Sequence, residues 1–307
     1  MISSKNRKIK RIAPAMIKSP SYKVFTVFNT ILLGLVVIIV LLPFLHLFAV
    51  SLSEAAYVHA GHVTIFPRGF NFGGYRLVLA QRMFYRTYLN TILYTIAGTS
   101  LSMLATILCA YALSKSWLVG RSVIMMFVVF TMYVFPGLIP NYMLISRLFM
   151  DSFLALIVPR MIDSFFMILM MIYFKGISPS LEEAAYIDGS GVFRTLVLII
   201  LPLSKPVLAT IALFYAVFFW NDWFSAMLYL NTQERWPVML YLRNIVSGVE
   251  LAIFSPGGVV TRPRDLGLVP TSMRAAAILM VVAPIVMVYP FIQKYFVSGV
   301  MLGSVKE

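Results

Sequence analysis

The chain has 307 residues, of which 61% are hydrophobic and 12% charged, with a mean hydropathy of +0.90 and a formal net charge of +14. Ordinary soluble domains carry about 25% charged residues, so this composition excludes a disordered chain and argues strongly against a water-soluble globule. At roughly 20 apolar residues per bilayer crossing, the cationic excess reads as membrane topology and anionic lipid headgroups rather than nucleic acid.

Residues 1–23 carry seven Lys/Arg and no acid. The apolar run that follows, Val24–Val50, is too long for the core of a cleaved leader and reads as a retained anchor. Three further runs lack any charged residue: Thr87–Ser114, Ser122–Ser146 and Ala275–Gln293. Two more are apolar but carry internal charges. Ser152–Phe174 holds Arg160 and Asp163, and Pro206–Leu230 holds Asp222. The runs are continuous rather than alternating, which excludes a β-barrel pattern. The expectation is an all-α fold of six transmembrane helices, with a basic cytoplasmic N-terminus (1–23), a membrane domain (24–297) and a cytoplasmic tail (298–307).

With the N-terminus inside, the cytoplasmic segments are 1–23, 115–121, 175–205 and 294–307. All ten lysines fall in them, whereas the outside segments contain arginine but no lysine. That partition supports an N-in, C-in topology. Cys109 is the only cysteine. It lies in an apolar run and reads as a small packing residue. His46, His59 and His62 lack the spacing of a ligand set, so no metal is expected.

The long inside loop, 175–205, holds the most specific pattern. Ser178 can cap a helix with Pro179 at its first position, or Ser180 and Glu183 can form a capping box. Leu181, Ala184 and Ala185 give that helix a small apolar face. Asp188-Gly189 signals a helix stop and turn. A second helical stretch runs to Leu201, where Pro202 is expected to break it ahead of helix five. A short helix with small alanines and two acids suits docking of a cytoplasmic protein. A helix lying flat on lipid is the alternative, and it lacks the bulky apolar face such binding needs.

The residues Glu183-Ala184-Ala185, Gly189, Ile199, Leu201 and Pro202 reproduce the spacing EAA, three residues, G, nine residues, I-x-LP. This resembles the EAA motif of ABC-importer permeases. Tyr88-Leu-Asn90-Thr91 and Trp220-Asn221-Asp222 extend the likeness, which covers most of the chain, to the carbohydrate-uptake branch. A second Glu-Ala-Ala at Glu54 has Ala60 where the glycine belongs, so the tripeptide alone carries nothing.

The resemblance implies a bacterial inner-membrane permease subunit that is not itself an enzyme. It implies pairing with a second homologous permease, docking of two ATPase subunits, and delivery of an oligosaccharide by an extracytoplasmic binding protein. ATP and Mg²⁺ belong to the ATPase partners; this chain has no Gly-Lys dipeptide and hence no phosphate loop. By resemblance, Glu183 pairs with a basic group in the ATPase groove, and Ala184 and Ala185 pack into it. Asp188 and Gly189 shape the turn, and Ile199, Leu201 and Pro202 join the loop to helix five.

Candidates for the solute path are polar groups within the spans. Asp163 falls roughly 18 Å along a helix from Asp151, and Arg160, three residues earlier, is placed to pair with it. Trp220, Asn221 and Asp222 combine an aromatic face with hydrogen-bonding groups, as sugars require. Asn90, Tyr133 and Asn141 complete the set, and Pro136 and Pro140 are expected to kink helix three. Arginines at 68, 76, 82, 86, 235, 243, 262 and 264 lie outside; they could meet lipid phosphate, an acidic binding protein or a uronate-containing oligosaccharide. A permease for another solute and an ion-driven secondary transporter with Asp163 as its ion site are the competing readings.

Overall fold

The protein is described here by a computed structural model that covers residues 20–134, 136–247 and 270–301. The expectations for residues 1–19 and 302–307, and for Arg262 and Arg264, lie outside the described residues. Among those described the chain is helical, and its β-type pairing is an isolated antiparallel bridge between Ser53 and Phe70.

Three stretches are each long and apolar enough to cross a bilayer, namely Ser21–Ser51, Arg82–Ser114 and Thr271–Val288. They lie in α1 (Pro20–Ser51), α4 (Arg82–Ser114) and α15 (Pro270–Met301). Between α1 and α4 come the short helices α2 (Ala55–His59) and α3 (Gly73–Ala80). The other expected spans are bent pairs, so by length and composition the count is three, or up to six if each pair is one span.

The bends have local causes. Helix three is broken rather than kinked: α5 (Arg121–Tyr133) and α6 (Leu138–Phe149) meet at 114°. Gly137, between them, has φ +90° and ψ 165°, outside any helical region. Pro140 sits in the first turn of α6, where its missing N–H has no partner to lose. The fourth run is α7 (Leu154–Ile157), a 3₁₀ turn over Val158–Arg160, and α8 (Ser164–Lys175), with a bend of 49°. Asp163 adopts an extended conformation there and caps α8, its Oδ1 accepting from Phe166 N at 3.1 Å.

The inside loop contains α9 (Pro179–Ile187) and α10 (Val192–Thr195), then a π-helical stretch over Leu196–Ile200 and α11 (Leu201–Leu203). The fifth span, α12 (Lys205–Asn221), follows at 86° to the preceding segment. It stops at Asn221 instead of continuing to Leu230. Asp222 turns extended, and α13 (Phe224–Tyr229) begins afresh with Ser225 N donating to Asp222 Oδ1 at 3.1 Å. After α13 comes α14 (Val238–Ser247).

The core is built around α4, which packs on both α12 and α8. Toward its Lys115 end, Ala110, Tyr111 and Leu113 meet Met167, Met170 and Phe174 of α8 and Val207, Ile211 and Tyr215 of α12. Midway along, Gly98 lies against the Phe219 ring so closely that a Cβ would sit 2.8 Å from ring carbons. Absence of a side chain is what admits that approach. Toward the Arg82 end, Phe84 joins Val78 of α3, Tyr241 of α14 and Val281 of α15. By contrast α1 touches the bundle near its C-terminal end, where Ala49 and Val50 pack with Ala275. The rest of its apolar surface is exposed.

Candidate functional site

Two regions carry the polar groups singled out in the sequence: the loop between α8 and α12, and the ends of α7 and α12 around Arg160 and Asp222.

The inside loop is built as a short helix between glycines. Pro179 holds the first helical position of α9, and the Ser178 hydroxyl bonds to the Ser180 hydroxyl at 2.8 Å rather than to the backbone. The Ser180–Glu183 capping box is therefore not the start used. At the other end Gly189 has φ +77°. Its N–H donates to Tyr186 O at 3.0 Å, and Ser190 N donates to Ala185 O at 2.8 Å. Those two bonds are the Schellman closure, which requires a left-handed residue at this point. A Cβ at Gly189 would meet nothing within 4 Å, so the requirement comes from φ alone.

Glu183, Ala184, Asp188 and Gly189 are exposed on this helix, and Ile187 is 86% exposed. Ala185 is instead 5% exposed and turned toward the chain's own helices. The small-residue face is thus divided: Ala184 is open to a partner and Ala185 is spent internally. Glu182, which the sequence reading passed over, pairs with Lys115 at the end of α4. Lys115 Nζ also stands 4.2 Å from the centroid of the Tyr111 ring. The available signal was positional, an acid beside the motif and a lysine ending an apolar run. Nothing in the linear sequence brings the two together.

Beyond the turn, Pro202 does not break the helix where expected. Its missing N–H instead leaves the Leu198 carbonyl without its usual donor, and the preceding stretch widens into the π form, with Leu201 N bonding to Leu196 O. The 86° bend comes two residues later, at buried Ser204, followed by Lys205-Pro206. Ile199 and Leu201 are half-buried along this segment, and Ile200 is fully buried in the core shared with α8 and α12.

The remaining candidates separate into anchors and open groups. Asn90 is buried, and its Nδ2 donates to Glu234 O at 2.7 Å and Trp236 O at 3.0 Å. Both amide protons are engaged, so Asn90 ties down the 232–238 segment. Trp220 is buried too, its Nε1 donating to Val281 O at 3.3 Å and its ring meeting Tyr88 edge-on. Asn221 Nδ2 bonds back to Val217 O at 2.8 Å. These contacts make Trp220 a packing residue between α12 and α15. Asp222 Oδ2 is buried without a hydrogen-bond partner among the described residues.

Arg160 and Asp163 do not form the expected ion pair, because the helix breaks between them. Arg160 is exposed, with its guanidinium carbon 4.5 Å from the Phe218 centroid. Asp163 is occupied in capping α8, and its N–H donates to the Tyr215 hydroxyl at 3.0 Å. That hydroxyl also pairs with Thr106 at 2.8 Å. Tyr133 is 83% exposed at the end of α5, and Asn141 is half-buried on α6.

A further cluster had no sequence signal beyond its residue types. Asp151, with φ +55°, accepts from Asn231 N and Thr232 N at 3.1 Å each and from the Thr232 hydroxyl at 2.6 Å. Arg235 reaches the same carboxylate at 3.1 Å. The Thr232 hydrogen bonds, helped by Arg235, hold the Asp151 carboxyl below the usual aspartate range.

No family model matches the chain. Individual proteins do. It is 38% identical over 273 residues to the polygalacturonan/rhamnogalacturonan transport system permease protein YtcP of Bacillus subtilis, covering 88% of this chain and 93% of that protein. It is 37% identical over 286 residues to the protein LplC of Bacillus subtilis, covering 92% and 95%. Among solved structures, a chain from a bacterial ABC transporter involved in import of the acidic polysaccharide alginate superposes with a TM-score of 0.84 at 34% identity, covering 91% of this chain and 98% of that one.

Proposed function

Because the chain belongs to the permease subunits of carbohydrate-uptake ABC importers, we propose that it lines half of an ATP-driven path for uronate-containing oligosaccharides and couples to its ATPases through α9. In this reading six spans cross a bacterial inner membrane with both termini in the cytoplasm. A second, homologous permease completes the path, two ATPase subunits dock on the cytoplasmic side, and an extracytoplasmic binding protein delivers the sugar.

The observation that carries the coupling is the geometry of α9. Its exposed face presents Glu183, Ala184, Ile187 and Asp188 together, and the Gly189 closure fixes that face relative to the α10–α12 segment. Glu183 is free to meet a basic group, and Ala184 leaves room for close approach. From α9 the π-widened stretch and the bend at Ser204 lead directly into a spanning helix, so displacement of α9 is passed to α12.

The acidic-sugar class rests on chemistry from two sides. Two similar proteins act in transport of polygalacturonan/rhamnogalacturonan and of alginate, polymers that carry carboxylates. On this chain Arg160 stands exposed over Phe218, with a guanidinium fork that suits a carboxylate beside an aromatic face that suits a sugar ring. Tyr133 and Asn141 are the remaining open candidates, since the Asp163 carboxylate is engaged in capping α8.

The test is to purify the tagged chain in mild detergent from its native cell. A second six-span permease and an ATPase should co-purify. Binding protein loaded with oligogalacturonate should stimulate ATP hydrolysis more than neutral maltooligosaccharide does. Equal stimulation by neutral sugars would overturn the uronate class, and purification of the chain alone would overturn the assembly.

A further inference from the structure

Glycines flank α9 on both sides. Gly176 ends α8, and Gly189 and Gly191 follow α9 within four residues. Nothing lies within 4 Å of a Cβ placed at Gly189 or Gly191. The backbone ties the nine-residue α9 to α10 through the Gly189 closure, which does not reach α4. Yet α9 is fastened across the fold. Glu182, in its first turn, pairs with Lys115 at the C-terminal cap of α4. The two side chains are only 14% and 11% exposed, respectively, although the helix surface around them is open. Lys115 is fixed from its other side by the Tyr111 ring. Among the described residues this is the ion pair that joins α9 to the membrane bundle.

The helix it reaches matters. Packing of α4 on α8 and α12 makes it the centre of the core. A push on α9 that ran only through the Gly189 closure would reach α10–α12 and leave α4 to follow by packing alone. Through Lys115–Glu182 it reaches α4 directly, so α4 and α8 move with α9. We infer that Lys115 and Glu182 form a tie that makes α9 and α4 one rigid body and so converts ATPase motion into helix motion. They are positioning residues, distinct from Glu183 and Asp188, which face the partner. This rests on the coupling reading above.

The test uses the assembled complex with Cys109 replaced by serine and spin labels at Ser180→Cys and Val119→Cys, two exposed sites on either side of the tie. The wild-type pair should give one narrow distance distribution. Glu182→Gln, which keeps the side-chain shape, should broaden it at least twofold, and the exchange Lys115→Glu with Glu182→Lys should narrow it again. No sugar is needed for this measurement. In proteoliposomes supplied with oligogalacturonate and its binding protein, Glu182→Gln should hydrolyse ATP but import at least tenfold less sugar per ATP, with recovery in the exchanged pair.

An unbroadened distribution in Glu182→Gln overturns the tie. Broadening with an unchanged sugar-to-ATP ratio overturns its role in coupling. Failure of Glu182→Gln to retain its ATPase subunits also overturns it, since the pair would then serve docking. If the wild-type complex neither retains an ATPase nor imports oligogalacturonate, it is the proposed function that fails, and the label distances still decide whether the tie exists.

Discussion

Gly189, a fixed position inside the motif, and Glu182, one position before its edge, show different degrees of legibility. The need for glycine at 189 could be read from Asp188-Gly189, and the φ of +77° bears it out. Gly189→Ala should destabilise the turn by about 1–2 kcal/mol, the cost of placing a Cβ in the left-handed region, while Gly189→Asn should cost less; comparing complex yield and thermal stability of the two checks this. The partner of Glu182 could not be read, because Lys115 lies 67 positions away. For Arg160 we expect a charge-dependent effect. Arg160→Ala should lower uptake of oligogalacturonate at least tenfold and Arg160→Lys less. Equal loss in both with neutral and acidic sugars would make the residue structural, through its contact with Phe218.

Elements were legible where continuous apolarity decided them and illegible where a few residues set a break. The runs 24–50, 87–114 and 275–293 correspond to α1, α4 and α15. The expected kink at Pro136 became a 114° break because Gly137 leaves helical space altogether. The presumed Arg160–Asp163 pair assumed one unbroken helix, and Asp163 instead uses its carboxylate to start α8. The same principle explains why Trp220-Asn221-Asp222 sits at a helix end. Packing of α4 on α12 depends on Gly98, so Gly98→Leu should force the Phe219 ring aside and lower the amount of folded protein in the membrane. Gly34, with nothing within 4 Å of its Cβ position, is the matched control and should tolerate the same change. Asp151 joins the turn after α6 to the 231–235 segment. Its carboxyl is depressed below the ordinary aspartate value, so the clasp contributes above the unfolded pKa and is lost as pH falls through the lower folded value. Protection of the 231–235 amides from hydrogen exchange should therefore be constant between about pH 5 and 8. Asp151→Asn should reduce that protection, since the neutral amide keeps an acceptor but loses its charge-assisted bond to Arg235.

For the whole molecule, composition alone announced a polytopic membrane protein, and the EAA spacing announced the family before any helix was placed. What the sequence could not convey is why α1 is so unlike α4: both are long and apolar, yet α1 leaves most of its length uncovered. A surface of that kind suits lipid or, on the proposed assembly, a second permease, and cysteines at Ile31 and Val36 should cross-link to such a permease or label with lipid-phase probes, but not with aqueous reagents. On the proposed function, uptake of an acidic oligosaccharide is driven by ATP hydrolysis in partner subunits and coupled to this chain through α9. The most direct measurement is uptake of labelled oligogalacturonate by proteoliposomes of the purified complex, with binding protein outside, and ATP or an ion gradient inside. The account predicts uptake that requires both ATP and loaded binding protein, and that falls at least tenfold in Glu183→Lys while the protein remains in the membrane. Uptake driven by an ion gradient without ATP, or undiminished in Glu183→Lys, would contradict it.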